Sequence, residues 1–447
     1  MNIWLERNLM HVQTLRYLIQ FMHTYRRAEK DPSYWLQVQK KNIRTFADYV
    51  YGIPFYRKRF DAAGIESKDI VTAEDFLKLP CLTKEEYREW CAEETRNHPD
   101  KYKGWLPCAT SGSSGMPLSF YQLPRDRASE IANLFRGFLI QKKHFRLFFD
   151  SHLAVVSKRG IRRNQNSVMQ RLGLFRHMDV SAGDSVEALV KAYNDFKPDV
   201  LYGIGSAFVR MINYAEKHGI ELHHPNLIAT FGEMLDNATV DIIAAAFGQN
   251  ILYDMYGCVE VGNMAVTKAC ENLDIENRHY TIWNDTHVFN TIDDEGKLSD
   301  EGRLLVTPLY HFGFPLVNYA LGDQVQLETL SGGVKGLRRI KGRENDMIFN
   351  RDGSYYTFST IYQLMLNIEG VKQFRIVQKT YDDLVFYIVK TRESECSDEA
   401  IKRVVSERAK SQFYMGTKNL SFEFVDELQP NPSGKMRVLI SEIYGKK

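Results

Sequence analysis

A chain of 447 residues that is 44% apolar and carries a formal net charge of +2 holds enough hydrophobic material for one large core and a smaller one. The near-neutral balance gives no bulk attraction to nucleic acid or to an anionic membrane surface. Cys81, Cys91, Cys108, Cys258, Cys270 and Cys396 lack CxxC spacing, and neither a secretion-signal core nor a bilayer-spanning apolar run occurs, so reduced thiols, a cytoplasmic location and no membrane insertion are expected.

In chain order, residues 1–100 read as mainly helical. Leu15, Leu18, Ile19 and Met22 recur at helical spacing with Arg16, Gln20 and Arg26 between them, which predicts an amphipathic helix turned to a core. A second helix is expected from Trp35 to Tyr51, ended by Pro54-Phe55-Tyr56. Then Thr110-Ser111-Gly112-Ser113-Ser114-Gly115-Met116-Pro117 gathers hydroxyls and glycines in one polar turn. Glycine brings backbone N–H groups close to an anion and the hydroxyls add donors, so the turn suits phosphates. No GxxxxGK followed by Ser or Thr is present, which disfavours a P-loop NTPase. Taken alone, such an octet is more often a plain surface loop.

Beyond it, strands expected at Leu153 to Val156, Val200 to Tyr202, Asn250 to Tyr253 and Leu304 to Thr307 alternate with helical stretches such as Ser185 to Phe196 and Phe208 to His218. That alternation predicts an α/β fold of layered sheets and helices. Around Gln326 to Arg343 the composition shifts to Gly, Ser, Lys and Arg, which places a boundary between a large domain, 1–341, and a small α+β domain, 342–447. In the small domain the expected order is a helix from Ser359 to Leu366, strands at Phe374 to Val377 and Leu384 to Val389, a helix from Ser397 to Phe413 capped by Ser397, a last strand at Ser421 to Val425, and a polar tail.

Four later stretches bear on chemistry, each with a plain alternative. Tyr256-Gly257-Cys258-Val259-Glu260 puts a ring and a carboxylate at a strand end, where α/β sheets bind ligands, or is a turn with a solvated glutamate. Tyr319-Ala320-Leu321-Gly322-Asp323 offers an acceptor for ribose hydroxyls, or is an ordinary Gly-Asp turn. Gly342-Arg343-Glu344-Asn345-Asp346 reads equally as a charged linker, and Asn431-Pro432-Ser433-Gly434-Lys435 as a tail turn.

As a set and in this order, these stretches resemble the adenylate-forming superfamily, and within it the phenylacetate-CoA ligase branch together with the CapK-type capsule-biosynthesis proteins. The resemblance implies a large N-terminal domain binding ATP and a small-molecule carboxylate, and a small mobile C-terminal domain that rotates between two half-reactions. It implies that Thr110, Ser111, Gly112, Ser113, Ser114 and Gly115 cradle the ATP phosphates, that Gly232 and Glu233 lie along the adenine, and that Tyr256, followed by Gly257, stacks on it. Glu260 would hold Mg²⁺, Asp323 and Arg343 would bind the ribose, and Lys435 would be the mobile catalytic cation. Tyr202, Gly203 and Ile204 could line the acyl pocket or serve as core, and His279 could lie near it. Cys258, Cys270 and His279 match no compact zinc motif, and Gly205-Ser206 forms no GxSxG elbow.

Several residues depart from the family pattern. Met116 replaces a loop lysine, Asn345 replaces the first hinge acid, Asn318 stands where the phenylacetate ligases tend to carry arginine, and Asn350-Arg351-Asp352-Gly353 replaces the loop lining their CoA tunnel. Activation of a carboxylate is therefore better supported than delivery to CoA. An amino sugar or another amine, or a hydroxyl receiving AMP, stays open as acceptor, as do a homodimer and a nucleotide-binding protein without turnover.

Overall fold

The N-terminal helices follow the expected periodicity, but the first is rolled on its axis. In the computed structural model, α1 (Met10–Ala28) buries Leu18, Phe21, Tyr25 and Ala28, whereas Leu15 and Ile19 are 39% and 63% exposed. The expected apolar stripe is thus corrected. Phe21 packs edge-on against Tyr310 and Tyr25 against Trp283, and large rings on this face bury more area than the aliphatic pair opposite. The structure describes residues 9–443 apart from 111–117, 142–145, 147, 157–171, 175, 270, 272, 276, 344–345, 353, 357–360, 362–363, 366–367, 392–395, 412–414, 416 and 432–434.

Helix α2 (Tyr34–Tyr51) ends as expected, and Pro54 opens α3 (Pro54–Ala63) at its first turn, where a missing N–H costs nothing. Thr83 and Glu86 form a reciprocal capping box that starts α4 (Lys84–Asn97). Strands β1 (Leu106–Ala109) and β2 (Ser119–Gln122) pair antiparallel ahead of α5 (Pro124–Gln141).

A seven-stranded sheet, ordered β4-β3-β5-β6-β7-β8-β9, forms the body of the large domain. Its parallel part is β3 (His152–Val156), β4 (His177–Ser181), β5 (Val200–Gly203), β6 (Leu227–Phe231) and β7 (Leu252–Cys258). The inner strands β3, β5 and β6 are nearly continuous apolar runs, as parallel strands covered on both faces must be, whereas the edge strand β4 is half-buried. Helices α6 (Val186–Phe196), α7 (Gly205–His218) and α8 (Asn237–Phe247) connect them, and β8 (Gly262–Val266) and β9 (Thr281–Ile282) close the sheet antiparallel. The expected start of β7 at Asn250 comes two residues early, because 249–251 forms a 3₁₀ turn.

An antiparallel sheet follows: β10 (His287–Ile292), β11 (Glu301–Pro308), β12 (Tyr319–Thr329) and β13 (Lys335–Arg343). The stretch expected as an interdomain boundary is therefore a hairpin of this sheet. Its Gly332-Gly333 pair supplies the positive φ of the turn, and its charged residues lie on an edge strand. Asn318, at φ +49, enters β12 in the left-handed region that asparagine tolerates. Its amide donates to the carbonyls of Phe76 and Leu79, so the N-terminal segment grips the strand carrying Asp323.

The C-terminal part has the short hairpin β14 (Ile348–Phe349) and β15 (Tyr355–Tyr356), and then β16 (Val371–Gln378), β17 (Asp383–Lys390), α9 (Asp398–Ser411) and β18 (Asn419–Phe424). Of the helix expected at Ser359 to Leu366, Ile361 and Leu364 are helical and buried; most of the rest lies outside the described residues. Ser397 caps α9 by accepting from the Ala400 N–H at 3.2 Å. The polar tail is a correction, since β19 (Leu439–Ser441) adds to β16 in parallel through a buried Leu439.

Candidate active site

The β1–β2 hairpin brings the two ends of the glycine-rich turn together. Thr110 donates its N–H to Leu118 O at 2.9 Å, and its hydroxyl accepts the Leu118 N–H at 3.1 Å. Ser111, Gly112, Ser113, Ser114 and Gly115, with Met116, lie outside the described residues. Leu118 and Phe120 pack in one core cluster with Val261 and Tyr319, so the turn is rooted beside the strand ends that carry Glu260 and Asp323.

Three sequence-predicted residues meet there. Asp323 lies opposite Arg343 in the β12–β13 ladder, and the register places the guanidinium Nε 3.2 Å from Asp323 Oδ1. The Tyr256 hydroxyl donates to Asp323 Oδ2 at 2.5 Å. Asp323 raises the Arg343 pKa further, and burial followed by Asp323 pushes the Tyr256 phenol well up, so Tyr256 stays a neutral donor. Gly257 is required by crowding: a Cβ there would stand 2.2 Å from Gly262 O, at the bulge between β7 and β8.

Glu260 follows the end of β7 and is 6% exposed. Lys84, the first residue of α4, reaches it with Nζ 3.1 Å from Oε1. Behind the turn, His287 Nε2 lies 2.9 Å from Val261 O, and the buried His311 bridges Glu130, at 3.2 Å, and the Glu260 backbone. Burial pushes the Glu130 carboxyl up, but His311 and Arg127 outweigh it and hold it at about 2.

Lys435 arrives from the C-terminal part. Asn431 accepts the Lys435 N–H at 3.0 Å and donates its own N–H back at 2.9 Å, which closes the turn; Pro432, Ser433 and Gly434 lie outside the described residues. Arg375 donates to the carbonyls of Arg437 and Gln429, and Arg437 pairs with Asp346 at 3.0 Å. Lys435 Nζ stands 3.5 Å from where a Cβ would sit on Gly232, a residue at φ +85. Burial and then the Arg343 cation push its ammonium pKa down, and Glu233 pushes back. The Glu233 carboxylate faces Ser206 and Met436, leaving the peptide at 232–233 as the surface that could lie along a base.

Other expectations are not brought to this cluster. His279 is exposed and pairs with Glu328 at 2.8 Å, toward the far end of β12 from Asp323. Gly203 lets β5 approach Val155, whose carbonyl would be 2.1 Å from a Cβ, and Ile204 packs in the core with Leu153. Tyr202 is buried among Phe138, His177 and Phe231. Asn350, Arg351 and Asp352 form the exposed tip of the β14–β15 hairpin, with Arg351 paired to Asp382; Glu344, Asn345 and Gly353 lie outside the described residues. Lys84, His311 and Arg437 were missed. Lys84 reads as an ordinary helix start, and the sequence gives no sign of which carboxylate it meets.

Residues 348–442 match the CapK C-terminal domain family. The chain is 25% identical over 423 residues to Protein CapK of Staphylococcus aureus, covering 91% of this chain and 89% of that one. It is 28% identical over 333 residues to a phenylacetate-coenzyme A ligase of Escherichia coli K12, covering 70% and 72%. Among solved structures, 2-hydroxyisobutyryl-CoA ligase in its postadenylation state with 2-HIB-AMP superposes with a TM-score of 0.71 at 19% identity over 90% and 89% of the chains. The same ligase with CoA in the thioesterification state scores 0.56 over 92% and 91%. The fold is that of the adenylate-forming CoA ligases, and over most of its length the sequence resembles CapK and the phenylacetate-CoA ligases.

Proposed function

We propose that the protein activates a small carboxylic acid with ATP and passes the acyl group to the thiol of CoA. The carboxylate oxygen attacks the α-phosphorus and pyrophosphate leaves; the thiolate then attacks the acyl carbon and AMP leaves. The observation that carries this is Lys435 Nζ lying against Gly232, beside the Tyr256–Asp323–Arg343 cluster. Attack of one anion on another needs positive charge where negative charge gathers, and a lysine held between the nucleotide surface and an arginine supplies it. The higher TM-score to the postadenylation form supports reading this arrangement as the one that serves the first half-reaction. Pyrophosphate exchange with a panel of aryl, aliphatic and hydroxy acids tests it. ATP binding without exchange for any acid would leave a nucleotide-binding protein.

CapK-type transfer to an amine, such as an amino sugar, is the second reading, supported by the match of 348–442 to the CapK C-terminal domain and by the Asn350–Asp352 hairpin tip. Discharge of the adenylate by CoA, followed by mass analysis, separates the two. A cytoplasmic enzyme fits both; none of the described helices is long and apolar enough to cross a membrane.

Glu260 fits a magnesium site. It is a buried hard-oxygen ligand whose charge Lys84 now meets, and one carboxylate beside phosphates is the usual magnesium arrangement. The bound ion would withdraw charge from the phosphates as pyrophosphate leaves. Glu260→Ala should raise the magnesium concentration for half-maximal exchange by about 10–100-fold, the range found for perturbed metal shells. A magnesium titration identical to wild type would refute the assignment.

Asp323→Ala should act on ATP binding instead. It removes the acceptor proposed for the ribose and frees Arg343 and Tyr256, with a loss of about 1.5–3 kcal/mol expected for a charged hydrogen bond. Calorimetric titration with ATP measures it, and unaltered affinity counts against the role.

A further inference from the structure

We propose that Glu233 is a positioning residue that docks the Lys435 turn onto the large domain for the first half-reaction, an inference that rests on the two-step reading above. Its carboxylate spans the seam. Oε1 accepts the Ser206 backbone N–H at 2.5 Å, and Oε2 accepts both the Ser206 hydroxyl at 3.0 Å and the Met436 backbone N–H at 3.1 Å. Ser206 lies in the first turn of α7 of the large domain, and Met436 directly follows Lys435. One oxygen therefore ties the large domain to the lysine turn.

The small part keeps its turn rigid through Arg375, Asn431 and the Arg437–Asp346 pair, so what remains to be fixed is where the turn sits on the large domain. Lys372 adds a contact to Asn213 at 3.2 Å, and Met234 and Ile275 pack on the small-domain core. Arg375 touches Met436 from within the small part, but neither the Lys372 bond nor the Met234 and Ile275 packing is a hydrogen bond from the large domain to that residue. The Glu233 contact is, and a movement of the turn away from Gly232 must break it. A bond made in one arrangement and lost in the other shifts the population by its own free energy.

Charge on Glu233 is part of the device. Burial holds its carboxyl up to about 7, against the N–H groups of Ser206 and Met436, the Ser206 hydroxyl and the Lys435 ammonium. Arg210, also on α7, faces it as well. Above that pH the carboxylate accepts from all three donors; below it one oxygen carries a proton and loses acceptor capacity.

Two readouts test this with Glu233→Gln and, as a milder change outside the nucleotide surface, Ser206→Ala. In ligand-free protein, hydrogen exchange at the Met436 amide should quicken by about tenfold or more in Glu233→Gln, the equivalent of one lost charged hydrogen bond, while β16 and β17 amides keep their protection. The ratio of pyrophosphate exchange to discharge of supplied acyl-adenylate should fall about as much. Ser206→Ala should move both readouts the same way by less. Unchanged Met436 exchange, or equal losses in both half-reactions, would overturn the proposal. A wild-type protein that shows no exchange with any acid would instead overturn the two-step reading, and the Met436 amide would still report whether Glu233 docks the turn.

Discussion

Asp285→Ala should lower the unfolding free energy by about 3–5 kcal/mol, the scale on which removing one partner strands a buried charge. Arg136, on α5, is wholly buried and donates through Nη1 to both Asp285 oxygens at 3.0 and 2.9 Å, and through Nη2 to Asn133 at 2.7 Å. Its guanidinium also lies 4.0 Å above the Trp283 ring and 4.9 Å from that of Phe21. Without Asp285 the cation keeps one amide and the faces of three rings, Trp283, Phe21 and, at 5.8 Å, Trp35, too little to replace its hydration. The double change Arg136→Met with Asp285→Ala should recover much of the loss, because apolar groups of similar volume tolerate the site. Chemical denaturation of the two variants decides it. Equal stability of single and double variants would show that the ring contacts, not the pairing, hold the position.

That pair also shows what the sequence could and could not disclose. Arg136 sits in an amphipathic helix with nothing nearby to mark it, and its partner lies 149 positions away. Contacts between distant positions depend on packing, which periodicity does not encode. In the parallel sheet β3, β5 and β7 were legible because burial on both faces leaves apolar runs, whereas β4 and β6 were not picked out. The 326–343 hairpin was misread because an exposed edge, with bulges and a glycine turn, has the composition of a linker. In the site, Asp323 and Arg343 could be named from motifs, whereas their direct pairing across one ladder needed the register. Likewise Glu260 was visible, but Lys84 and the His311–Glu130 support behind it were not.

Lys435→Ala is expected to fold normally and bind ATP, yet to lose adenylation by two or more orders of magnitude, about 2.7–4 kcal/mol for one preorganised charge-stabilising donor. A lysine on a water-facing tail turn could be removed with little effect, since exposed charges contribute almost nothing to stability. Lys435 is not such a residue. Its turn is closed by Asn431, the following backbone is held by Arg375 and Glu233, and its ammonium reaches the surface at Gly232 with its pKa lowered by burial and by Arg343. An ammonium fixed where charge develops acts on the transition state more than on bound ATP, so the loss should fall on rate and not on affinity. The second half-reaction needs no attack on the α-phosphorus. Supplied with chemically made acyl-adenylate and the true acceptor, Lys435→Ala should therefore release AMP at close to the wild-type rate. Equal damage to both steps would mean that the lysine supports the turn without touching the reacting groups, and that the arrangement seen here serves both half-reactions.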